Sequence, residues 1–278
     1  MRKILVILSF IALFIISSCE YFNLNDDDGG LSTDEIIEGL KTALQIGADS
    51  STTKLSALNG YYLDNAVKIL LPPEADIIYD NLDKLNTIPG GSTATALIED
   101  QLGKLVLSIN RSAEDAADDA LPILGDAITS LSIQDGWDIL NGRVPSIAKS
   151  ATEGTFDSLA ATHYMERETK TALIVVFSEP MNEALQKPLV YDISAYSLWN
   201  SITSTYNTAA NTYNNLDILN LLEDIEPLNT DIGEFVTGKA MDGLFLKVGQ
   251  EEKKIRRNPF EWAVDIIQRV FGYIQDHI

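Results

Sequence analysis

Apolar residues along this chain recur mostly at intervals of three and four, the spacing that gathers them on one face of an α-helix. In "STDEIIEGLKTAL", Ser32 and Glu35 stand ahead of a stripe of Ile36, Ile37, Leu40 and Leu44. That pair forms a capping box, in which hydroxyl and carboxylate satisfy the first free backbone N–H groups. The stripe runs on weakly to Leu58, and Asn59-Gly60 and Pro72-Pro73 then break the pattern. Prolines cannot continue a helix but can begin one, so a short helix through Ile77, Ile78, Leu82 and Leu85 is predicted, ending at the turn "TIPGGST". A long helix follows from Thr95, with Ile98, Leu102, Leu105, Ile109, Ala113, Ala116 and Ala120 on its inner face, and Pro122 restarts the chain.

Beyond a short capped helix in "SIQDGWDILNG", the segment "HYMERETKTALIVVF" reads as a helix bounded by Glu179-Pro180. "MNEALQK" and the Ser-, Thr-, Asn- and Tyr-rich "AYSLWNSITSTYNTAANTYNNL" continue the helical trend. The last dense segment places Ile232, Val236, Ala240, Leu244, Val248 and Ile255 on one stripe, with Asp231 and Glu234 at its start. Lys247–Glu251 and Glu252–Arg256 are spaced to pair on its surface, each worth about 0.2–0.5 kcal/mol. Lys253, Lys254, Arg256 and Arg257 crowd its last turn, where cations suit the negative end of the helix dipole. Asn258, Pro259 and Glu261 are placed to start a terminal helix, with Trp262, Ile266 and Val270 as its apolar face. No apolar–polar alternation is long enough for a sheet, and nothing repeats with a solenoid's period. The fold class predicted is all-α, a single multi-helix domain over residues 31–278.

The first thirty residues follow a different pattern. Met1-Arg2-Lys3 is a short positive start before "ILVILSFIALFII", which is uncharged and too short for a membrane-spanning helix. Ile16-Ser17-Ser18-Cys19 then presents an aliphatic residue, two small residues and the only cysteine. That is the arrangement of a bacterial lipobox, in which small side chains admit the signal peptidase and the thiol accepts a diacylglyceryl group. Residues 1–18 are expected to be a signal peptide and Cys19 the lipidated first residue of the mature protein. Residues 19–30, with "NDDDGG", form an acidic, flexible tether. They do not match a calcium loop, because no register gives alternating oxygen ligands followed by the required glycine.

Composition narrows the function classes. Net charge is -21 and 45% of residues are hydrophobic, enough for a real core. So acidic a chain is repelled by nucleic acid and by anionic headgroups, so no nucleic-acid partner is expected and membrane association is assigned to the lipid on Cys19. One cysteine excludes an internal disulfide, a thiolate metal cluster and a CxxC redox pair.

Six segments carry a resemblance: "GLKTAL" (Gly39–Leu44), "LDNAVKILLP" (Leu63–Pro72), "SINRSAEDA" (Ser108–Ala116), "DAITSLSIQDGWDILNG" (Asp126–Gly142), "ATHYMERET" (Ala161–Thr169) and "FVTGKAMDGLFLKVGQEEKKIRRNP" (Phe235–Pro259). In this order they resemble domain-of-unknown-function family 4197, found mostly in Gram-negative lipoproteins and secreted proteins. Arg143 to Ala160 is longer than the family's usual connection, and "VKILLP" departs from a stretch often written "IPLP". The resemblance implies an α-helical envelope protein and imports no mechanism.

Candidate chemistry is sparse. His163 and His277 are far apart and no HExxH is present, so His163 with Glu166 and Glu168 is a weak ligand set and no metal or cofactor is expected. GxSxG, GxxxxGK and GxGxxG are absent too. One polar constellation stands out: Asn110, Arg111 and Glu114 on the long helix, with Asp242, Glu251, Glu252 and Arg256 on the penultimate one. Arg111 is placed to pair with Asp242 or a glutamate, and Glu114 with Arg256. Such a set is either an interhelical ion-pair network or the lining of a pocket for a small polar ligand. The expected function is a lipid-anchored, non-enzymatic envelope module, on the periplasmic face or outer surface of the outer membrane, that binds an envelope protein or small ligand. The Tyr191–Asn215 stretch is its expected contact surface. The alternative is an envelope hydrolase using Glu/Asp acid–base chemistry in an interhelical cleft.

Overall fold

The computed structural model describes residues 30–143, 156–216 and 223–277. The expected signal peptide, Cys19 and the tether up to residue 29 lie outside them, as does most of the long connection after Arg143. Among the described residues the chain forms nine α-helices and no strand, with one isolated bridge between Val190 and Ile193. No helix among them is long and apolar enough to cross a membrane.

Helix α1 (Thr33–Ser56) begins at the predicted capping box, with Ser32 Oγ accepting from the Glu35 N–H at 3.2 Å and Glu35 Oε2 accepting from the Ser32 N–H at 2.9 Å. The other Glu35 oxygen accepts from Arg269, so the cap also ties α1 to the last helix. Helix α2 (Glu74–Asn86) starts after Pro72-Pro73, and Gly90, at φ 77°, turns the chain into α3 (Gly91–Ala116). A Cβ on Gly91 would stand 1.9 Å from the Leu85 carbonyl oxygen, so only glycine allows this turn. The α3 stripe continues through a 3-10 turn at Ala117–Asp119 into α4 (Ala120–Ser130), with Pro122 in the first turn of α4. There its missing N–H has no intrahelical partner to lose. Helix α5 (Gly136–Leu140) is short and ends at Asn141-Gly142.

Two expected boundaries are corrected. Helix α6 (Ala160–Gln186) does not stop at Glu179-Pro180 but runs through it. Pro180 cannot donate to the carbonyl of Val176, yet Val176 lies on the exposed side, where such an oxygen is open to solvent. At the other end of the chain, Pro259–Glu261 forms a 3-10 turn and α9 (Asp265–His277) begins later than predicted. Its buried face is therefore Ile267, Val270 and Phe271, with Trp262 half-buried before the helix.

Helices α7 (Ala195–Leu216) and α8 (Ile232–Arg257) complete the set. Helix α8 packs on α1 and α6, and α3 packs on α6 and α7, so one hydrophobic core threads the whole assembly. Small residues let the backbones approach: a Cβ on Gly47 would lie 3.0 Å from Val248 Cγ1, and one on Gly39 would lie 2.7 Å from Val270 Cγ2. Helix α1 thus sits so close to α8 and α9 that a Cβ at either glycine would force the facing valine to give way.

Candidate functional site

The seven residues of the polar constellation are not one site. Asn110, Arg111 and Glu114 face the connection after α1. The Glu114 carboxylate, 4% exposed, accepts backbone N–H groups of Asn59 at 3.1 Å, Tyr61 at 3.2 Å and Tyr62 at 3.0 Å. Arg111 pairs with Glu114 on its own helix and donates to Asn59 Oδ1 at 2.8 Å. Asn59 holds φ at 70°, a conformation this network fixes. Asn110 pairs with both backbone groups of Ile69, accepting its N–H at 2.9 Å and donating to its carbonyl at 2.7 Å. The residues of "SINRSAE" thus supply polar partners to the backbone of Asn59, Tyr61, Tyr62 and Ile69 in a partly buried, non-helical stretch. Burial, with Glu114 nearby, pushes the Tyr61 phenol above its usual range, and its hydroxyl donates to the Ala240 carbonyl at 2.9 Å.

Glu251, Glu252 and Arg256 form a second group at the far end of α8. Glu252 is fully buried and accepts from the N–H of Ala161 at 3.0 Å, the N–H of Thr162 at 2.8 Å and the Thr162 hydroxyl at 2.7 Å. It therefore satisfies the open N-terminal donors of α6 and sits at the positive end of its dipole. Arg256 pairs with Glu252 and donates to the carbonyls of Leu140 at 2.7 Å and Ile139 at 2.9 Å, the last carbonyls of α5. The predicted Glu252–Arg256 pair exists but is buried rather than on the surface. The predicted Lys247–Glu251 pair does not form: Lys247 pairs with Asp64, and Glu251 takes Lys54 and Lys254. Burial opposes ionisation of Glu251, but the two lysines outweigh it and hold its carboxyl below the usual range.

Asp242 is separate from both groups. It lies on the exposed side of α8, where it binds Lys170 at 2.7 Å and Lys239 at 3.4 Å, and neither Arg111 nor Arg256 reaches it. With Glu74, Lys170, Asn229, Thr230, Asp231, Glu234, Phe235, Gly238 and Lys239 it lines an open cleft of about 560 Å³. Burial would lower the Lys170 ammonium, but Asp242 and Glu166 hold it above its ordinary value. Asp231 Oδ1 caps α8 by accepting from the Gly233 N–H at 2.7 Å, whereas Glu74 and Glu234 make no ion pair among the described residues. Four carboxylates against two ammonium groups give the cleft a negative balance. Of these residues, the sequence pattern singles out only Asp242 as a site residue; Glu234, Phe235, Gly238 and Lys239 share its face of α8 at helical spacing, whereas Glu74, Lys170, Asn229, Thr230 and Asp231 come from α2, α6 and the approach to α8, which no spacing joins to it.

One wall of the cleft is held from α7. Asn207 pairs with both backbone groups of Leu228 at 2.7 Å, Asn214 does the same for Ile225 at 2.9 and 2.8 Å, and the Trp199 indole donates to the Thr230 carbonyl at 3.0 Å. Asparagines seven apart share a helix face, so these polar residues of the Tyr191–Asn215 stretch dock the protein's own chain. His163 bonds Asp157 at 2.8 Å, Glu166 pairs with Lys170 and Glu168 with Arg167. No group of three potential metal ligands occurs among the described residues.

The chain matches no curated protein and no solved structure. Residues 30–272 match a family profile described as protein of unknown function (DUF4197). That match spans most of the sequence and all nine helices up to the last turns of α9, and the chain belongs to the DUF4197 family.

Proposed function

We propose that this protein is a lipid-anchored binding module of the cell envelope that holds a small, positively charged polar ligand in the cleft beside the first half of α8. The anchor reading rests on the sequence around Cys19, with its charged start, short apolar run, paired serines and single thiol. The binding reading is carried by one observation: the cleft is open and polar, with carboxylates outnumbering ammonium groups and two of them, Glu74 and Glu234, free of ion pairs among the described residues. A cationic group is drawn to such a site, and open walls suit reversible binding.

Two measurements test this reading. Cys19→Ser should release the protein from the membrane fraction, and a Cys19→Ser protein that still sediments wholly with membranes defeats the anchor. Calorimetric titration of the full chain with putrescine, a diamine probe, should show binding that weakens in Glu234→Gln, and an unaffected isotherm defeats the assignment of the cleft.

A further inference from the structure

At the opposite end of α8 the charge balance inverts. The segment "KKIRRNPFEW" places four cations in five residues of a chain whose net charge is -21. Arg256 turns inward and is consumed by Glu252 and the α5 carbonyls. Lys253, Lys254 and Arg257 remain outward. Lys254, Arg257, Asn258, Glu261 and Trp262 line a second cleft of about 300 Å³.

The backbone of this cleft is pinned from both sides by α9. Gln268 donates to the Trp262 carbonyl at 2.7 Å, and Gln275 donates to the carbonyls of Arg256 and Arg257 at 3.2 and 2.7 Å. These glutamines are seven apart and share one helix face. Between them the Pro259–Glu261 turn is closed by the Glu261 N–H to Asn258 at 3.2 Å and the Trp262 N–H to Pro259 at 3.3 Å. Arg257 and Trp262 are thus mounted on fixed backbone, and their side chains are not spent on the fold. Arg257 makes no ion pair, and neither the Asn258 amide nor the Trp262 indole N–H finds a partner among the described residues. The buried side-chain polar atoms lacking a partner there are Ser51 Oγ and Gln101 Oε1, so the indole N–H reaches the surface.

The Lys254 ammonium is held by Glu251 at 2.8 Å, so the donors left for a ligand are the Arg257 fork, the Asn258 amide and the Trp262 indole N–H, around a half-buried ring that gives one flat apolar wall. The fork matches a carboxylate or phosphate, the ring covers the apolar face of a sugar, and Asn258 with the acceptor Glu261 suits ring hydroxyls. We propose that this cleft is a binding site for an acidic sugar, a hexose carrying a carboxylate or a phosphate. The site is distinct from the α8 cleft beside Asp242 and does not depend on the anchor or on that cleft's ligand.

The test uses the three indole N–H signals of the ¹⁵N-labelled full chain in detergent, assigned to Trp137, Trp199 and Trp262 with a Trp262→Phe variant. Glucuronate, glucose 6-phosphate, glucose and inorganic phosphate are titrated at constant ionic strength. The Trp262 signal should move with glucuronate or glucose 6-phosphate, and whichever moves it identifies the acid. Glucose and inorganic phosphate should leave it in place. Arg257→Ala should weaken the response roughly tenfold or more, with the buried Trp199 signal unmoved as the check on folding. A Trp262 signal indifferent to both acidic sugars overturns the site. So does an equal response in Arg257→Ala, or an equal shift with inorganic phosphate alone.

Discussion

Glu252 reaches from α8 into the first turn of α6, where its carboxylate accepts the Thr162 N–H at 2.8 Å and the Thr162 hydroxyl at 2.7 Å. A fully buried carboxylate in this position costs desolvation that only its donors offset, so the two helices are held in one register. Glu252→Ala leaves Arg256 buried without its partner and should cost about 3–5 kcal/mol. Thr162→Val removes a single hydrogen bond to a charged group and should cost about 1.5–3 kcal/mol. Denaturant unfolding with an unchanged slope checks both, and equal losses would contradict the assignment.

Arg111 and Asp242 offer a direct contrast. Arg111 sits against a buried Glu114 that carries three backbone donors, whereas Asp242 is exposed with two lysines. Arg111→Ala should lower stability by about 3 kcal/mol or more, the loss typical of a broken buried pair. Asp242→Asn should change it by less than about 1 kcal/mol, as surface ion pairs do. Matching melting temperatures for the two variants would show that they do not differ in this way.

Pro180 stands inside α6 without a helical hydrogen bond to give. Pro180→Ala restores that donor on an exposed face and should stabilise the protein by about 1–3 kcal/mol. A thermal melt that rises by several degrees is the expected result, and a fall would mean that the proline ring's packing matters more than the missing bond.

Acid should loosen the junction of α1 and α9. Arg269, together with the Ser32 cap, holds the Glu35 carboxyl down at about 2, from an ordinary 4.5. A depressed folded-state value means the contribution is full above 4.5 and is lost as pH falls from there through about 2. Asp64, held down by Lys247, and Glu251 act in the same direction. Arg269→Ala should therefore melt below the parent protein at pH 7, with the gap closing toward pH 2. A gap independent of pH would reject the pairing.

The elements legible in the sequence were those governed by neighbours along the chain. The capping box at Ser32 and Glu35 and the stripe from Ile98 to Ala120 depend on three- and four-residue spacing, the Asp231 cap reaches Gly233 two residues on, and all three are present in the structure. The start of α9 was misplaced because Pro259 and Glu261 suit a 3-10 turn as well as an α-helical first turn, and packing of Phe260 on Gly272 is a distant matter. The end of α6 was misplaced because the cost of Pro180 depends on whether the freed carbonyl meets water.

Chain order alone determined that this protein is a set of amphipathic helices, since hydrophobic period and cap chemistry are local. Which charges meet was decided only in three dimensions. Glu114 binds a loop more than fifty positions earlier and Glu252 a helix start ninety positions away, while Asp242 turns outward to Lys170. An ionised side chain takes whichever donors folding brings within about 3 Å, and separation along the chain places no limit on that.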